Sequence, residues 1–88
     1  MYVVEILDEH GDPAEFVVGT PVVALDLALR ARRAGLRCHI AEETTARPVP
    51  LEDIRHRARL LAVADEQAAE QLHQAEREHE RALRASLN

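Results

Sequence analysis

The sequence predicts an α+β domain of ββαβα order: a three-stranded mixed sheet (order 2-1-3) with one packed helix and a long C-terminal helix. Three observations lead there. Two short β-branched runs flank a turn-rich stretch, which is the pattern of a hairpin. A capped helical segment at 21–34 links that hairpin to a third apolar run. From Leu51 to Asn88 there is neither Gly nor Pro, and apolar residues recur at helical spacing.

The first run, Tyr2 to Leu7, puts Tyr2, Val4 and Ile6 on one face and Val3, Glu5 and Leu7 on the other. Asp8 to Pro13 is turn chemistry, because Gly11 admits positive φ and Asp and Pro favour reversal. Ala14 to Val18 is the returning strand. Thr20 and Pro21 then open a helix as cap and first helical residue. That helix ends at Ala34, with Gly35 as its left-handed stop.

The helix carries two apolar stripes. Val22, Leu25, Ala28 and Leu29 suit the sheet. Val23, Leu27, Ala31 and Ala34 lie roughly 160° away and call for a second neighbour, either the long helix or another chain. Leu36 to Ala41 is the third strand. A right-handed crossover leaves it parallel to strand 2, with strand 1 between them and antiparallel to both. Residues 42–50 form a polar connector ending in Pro48 and Pro50, which stiffen it.

These residues divide the chain into a platform, 1–50, and a helical arm, 51–88. As one helix the arm is about 57 Å long, well over the ~25 Å span of a fifty-residue platform. Leu51, Ile54, Ala58, Leu61, Asp65, Ala68, Leu72, Ala75, His79, Ala82 and Ser86 fall on alternating 3–4 spacing, a heptad seam. The seam is rich in large side chains only as far as Leu61. Beyond Ala64 the large apolar residues are Leu72, Leu83 and Leu87. A coiled-coil or docking arm follows, and an antiparallel homodimer centred on Leu72 would set Asp65 opposite His79 of the second copy.

Charge is segregated. The formal net charge is −5, yet residues 1–29 hold six acids and no Lys or Arg, whereas residues 30–59 hold eight Arg against four acids. Arg30, Arg32, Arg33, Arg37, Arg55, Arg57 and Arg59 make a basic patch if the two helices are neighbours, and nucleic-acid phosphate is its natural partner. Against that partner stand the acidic flanks and the shortage of aromatic stacking residues, Tyr2 and Phe16 being the only two aromatics.

Other chemistry is poorly supported. Glu70 with His73, and Glu76 with His79, repeat a Glu-x-x-His spacing known from di-metal bundles. On one helix the two copies point about 240° apart, so no metal or cofactor is expected. Cys38 and His39 are adjacent in a strand and face opposite ways, which rules them out as a nucleophile–base pair. Phosphate loops and nucleophile elbows are missing, so no enzyme and no small-molecule substrate are expected. A single Cys and the lack of a signal segment or an apolar span point to the cytoplasm rather than to a membrane.

The expectation is a non-enzymatic interaction module, a dimerisation unit, assembly adaptor or regulator. Its interface would be Leu27, Ala31, Leu61, Asp65, Ala68, Leu72, Ala75, His79, Ala82, Leu83 and Leu87. The alternative is a small nucleic-acid-associated regulator working through Arg30, Arg33, Arg37, Arg55 and Arg59.

Overall fold

The computed structural model describes residues 1–87. The elements are β1 (Tyr2–Leu7), β2 (Pro13–Val18), α1 (Pro21–Arg33), β3 (Arg37–Glu42), α2 (Leu51–Ala64) and α3 (Glu66–Ser86). The sheet order is β2-β1-β3. Both pairings are antiparallel, so the sheet is antiparallel rather than mixed; the two outer strands run parallel to each other but do not touch.

Local chemistry sets each boundary. The Asp8 carboxylate accepts from the backbone N–H groups of His10 and Asp12, both at 2.8 Å, and Gly11 takes a φ of +82°. Thr20 accepts from the Val23 N–H at the start of α1, with Pro21 as the first helical residue. At the other end Gly35 sits at φ +75°. Its N–H donates to the Arg32 carbonyl, and the Leu36 N–H donates to the Ala31 carbonyl. That double reversal satisfies two terminal carbonyls and aims the chain back along the sheet.

The main departure from expectation is at Asp65. The arm is helical almost throughout, but it is two helices and not one. Asp65 adopts φ −138° and ψ 114°, an extended conformation between α2 and α3. It closes both helices. Its N–H donates to the Leu61 carbonyl at 2.9 Å, and its own carbonyl accepts from Ala69 at 3.0 Å. Its carboxylate accepts from the N–H groups of Gln67 and Ala68 at 2.9 and 3.3 Å. The side chain thus replaces partners that an unbroken helix would have supplied, and Glu66 adds a negative charge to the first turn, where the helix dipole favours it.

The break lets the chain double back. α1 lies on one face of the sheet, and α2 and α3 both pack on α1 and on each other. Arg30 reaches Glu78 and Arg33 reaches His79, so the end of α1 is tied to the middle of α3. The core runs from Val4 and Ile40 on the sheet, through Val22, Leu25 and Leu29 on α1, to Ile54, Ala58, Ala68 and Leu72. Ala24, Ala28 and Ala31 on α1, with Ala58, Ala68 and Ala75 opposite, are all buried, and small side chains of this kind let three helices approach closely. Burying Leu72 contributes about 1.5–3 kcal/mol. The net value of one backbone hydrogen bond is about 1 kcal/mol, so a well-capped break is a small cost beside a buried seam.

Arg57 fastens α2 to the sheet. Its guanidinium donates to the Tyr2 hydroxyl at 3.3 Å and to the Glu42 carboxylate at 2.9 Å, and lies 5.8 Å from the centre of the Tyr2 ring. Tyr2 and Glu42 are cross-strand partners, so one side chain grips both strands.

Replacing Asp65 with Ala removes the cap and should destabilise the fold by about 1 kcal/mol, whereas Asp65→Asn should cost less than half as much because the amide oxygen still accepts. Urea unfolding followed by circular dichroism measures both.

Candidate interaction surfaces

The expected interface residues have two fates. Ala31, Ala68, Leu72 and Ala75 are buried inside the chain, and Leu27 and Leu61 are half-buried against the same core. The heptad seam therefore meets α1 of its own chain. Within the chain Asp65 caps α3, and the Arg33 guanidinium lies 3.4 Å from His79 Nδ1. Ala82 is half-buried, while Leu83, in the last turn of α3, and Leu87, just after it, are 49% and 84% exposed.

The Arg cluster is only partly assembled. Arg30 pairs with Asp26 at 3.1 Å and Glu78 at 3.6 Å, and Arg57 with Glu42 at 2.9 Å. The charges of Arg32, Arg33 and Arg55, from α1 and α2, all act on His79, and the Arg33 guanidinium is in contact with it. Arg59 is exposed on α2, one turn beyond Arg55, and Arg37 is exposed at the start of β3. Burial, then the charges of Arg33, Arg55 and Arg32, hold the His79 imidazole below its ordinary pKa. A neutral ring is the form that accepts at Nδ1 from Arg33. The other Glu-x-x-His copy stays apart from it, and no group of three or more His, Cys, Asp or Glu among the described residues is placed to hold a metal ion.

Sequence reasoning missed the open face and the free edges of the sheet as surfaces. The helices cover one face, the one carrying Val4 and Ile40. The strand register arranges the other face in three rows: Val17–Val3–Ala41, Glu15–Glu5–His39 and Pro13–Leu7–Arg37. Glu5 and Glu15 are directly opposite, an unfavourable like-charge pair. The outermost strand, β2, is barely reached by α1, and Phe16 and Val17 are 43% and 56% exposed.

The two strand edges can be oriented from the hydrogen bonds. Val49 donates to the Ile40 carbonyl at 2.8 Å, and the Glu42 N–H donates to the Arg47 carbonyl at 3.0 Å. The backbone groups of Ile40 and Glu42 therefore point away from β1, and by alternation so do those of Cys38. The same alternation carried across β1 turns the backbone groups of Glu15 and Val17 outward on β2. The alternating burial of a hairpin was the signal available for the covered face; nothing in the sequence said that the second face would stay open.

Compared with known protein families, with curated proteins and with solved structures, the chain matches none. Among the described residues no helix is long and apolar enough to cross a membrane.

The His79 shift has a signed consequence. In the unfolded chain the imidazole takes its proton as pH falls through about 6.5, while in the folded chain it stays neutral to a lower pH. The unfolded state then binds more protons, so stability declines as pH drops below about 6.5 and levels off once the folded ring also titrates. His79→Gln keeps an acceptor without a titration, and should lose less stability than wild type between about pH 7 and about pH 5 in urea unfolding.

Proposed function

We propose that this protein is a non-enzymatic interaction module that pairs with a second copy of itself through β2. One observation carries the reading: a six-residue edge strand whose outward backbone groups have no backbone partner among the described residues, with Phe16 and Val17 exposed on it. Such an edge is a template for another strand. The helical seam, the surface expected from sequence, is already filled by α1, so the interaction role moves from the C-terminal helix to the sheet.

The residues of β2 favour one two-fold register. With Phe16 opposite Phe16 of the second copy, Glu15 of each chain faces Val17 of the other. Each of these two outward pairs exchanges two backbone hydrogen bonds. A register shifted to set Glu15 against Glu15 would oppose like charges. The favoured one joins the two sheets into a single six-stranded sheet and covers the exposed aromatic ring with its counterpart.

Nucleic acid is a second reading, supported by the positive charges of Arg32, Arg33 and Arg55, all of which act on His79. It requires retention of a duplex or single strand that falls steeply with salt and is abolished by neutralising those three arginines.

Val17→Pro separates pairing from folding. It removes an outward N–H and leaves the hydrogen bonds to β1 intact, a position where an edge strand tolerates proline. Wild type should show a dimer mass by light scattering that dissociates on dilution, and the variant a monomer mass with an unchanged circular dichroism spectrum. A wild type that stays monomeric at every concentration would refute the reading.

A further inference from the structure

The opposite edge of the sheet, on β3, borders a groove of about 640 Å³ between α1 and the start of α2. Its walls are Ala28 and Arg32 on α1, Leu36 just before β3 and Cys38 on it, and Val49 and Leu51 at the entry to α2. The lining is mostly apolar and, in a protein of net charge −5, includes no acid. Arg32 is exposed and forms no ion pair among the described residues.

The chain itself displays what this edge accepts. Residues 47–49 lie along β3 as an extended antiparallel fragment, bridged at Ala41 and Pro48. They occupy the edge only from Glu42 to Ile40. Pro50 then turns the chain into α2, and the edge is left bare from Ile40 back to Arg37. The Ile40 N–H and both backbone groups of Cys38 point into that gap without a backbone partner among the described residues.

We propose that the groove is a binding site for an extended peptide that ends in a free carboxylate. The peptide takes up the line that residues 47–49 abandon, adding a strand antiparallel to β3. Its backbone pairs with Ile40 and Cys38, and alternate apolar side chains enter the groove between Leu36, Val49 and Leu51. Direction follows from register. Residues 47–49 run from Glu42 toward Ile40, so a peptide continuing that way carries its C-terminus toward Leu36, the end of the groove where Arg32 stands. A guanidinium with no other acid beside it is suited to a carboxylate, which it can grip with two parallel hydrogen bonds. The site lies on the far side of β1 from β2, so it neither needs nor blocks pairing through β2.

The probe is a dye-labelled, valine- and threonine-rich hexapeptide, made with a free C-terminal carboxylate and again as the C-terminal amide. Fluorescence anisotropy should show the acid binding at least tenfold more tightly than the amide. Arg32→Gln should lower the affinity for the acid to that of the amide and leave the amide unchanged. In amide-resolved NMR the acid peptide should shift the Cys38 and Ile40 N–H resonances and slow their exchange. It should also slow alkylation of the Cys38 thiol, which burial already raises in pKa. Equal binding of the two peptides, or an Arg32→Gln variant that keeps the preference, would overturn the carboxylate assignment. Binding that leaves the Cys38 and Ile40 amides unmoved, or no binding at all, would overturn the site.

Discussion

The arrangement of this chain depends on the carboxylate of Asp65. By accepting from the N–H groups of Gln67 and Ala68 it makes the start of a new helix affordable in the middle of a helical run. The new helix can then take a new direction. Ala68, Leu72 and Ala75 come to rest on the chain's own α1, and Arg30 and Arg33 gain partners on α3. Without the reversal the outer side of α1 and the lower seam of α3 would both need a second molecule. A chain of 88 residues has little core to spare, so closing that seam internally adds substantially to what it buries.

Much of this was legible in the sequence. The hairpin, the capped helix ending at Gly35 and the order of the sheet follow from alternation, capping chemistry and the handedness of crossovers. The seam residues were also identified, and five of them, Ile54, Ala58, Ala68, Leu72 and Ala75, are buried. What they meet was not legible. A 3–4 pattern states that a helix has an apolar side, and it is silent on whether the covering helix belongs to the same chain. The second stripe of α1 was the complementary half of that evidence, because Leu27 and Ala31 on it needed a neighbour.

The break was harder to see. Helix ends are usually marked by Gly or Pro, and neither occurs after Pro50. Asp followed by Glu is the weaker mark of a helix start, and within an Ala-rich run it is outweighed by propensity. In the heptad seam Asp65 reads as an interface position opposite His79 of a second copy, not as a cap. The open sheet face was invisible for a different reason: on a short strand two half-buried apolar residues, Val3 and Leu7, do not distinguish a covered face from a bare one. With the helices committed to the interior, the two sheet edges become the surfaces where extended chain can be added.

The internal reversal is the claim on which the rest stands, and one distance tests it. Spin labels at Glu52 and Glu80, both exposed, can be placed on a chain carrying Cys38→Ala. In a continuous helix these positions are about 42 Å apart. Pulsed electron resonance should return a narrow distribution at less than half that separation, because α2 and α3 pack side by side. A distribution centred near the full helical length would contradict the reversal at Asp65, and with it the assignment of the seam to the interior of the protein.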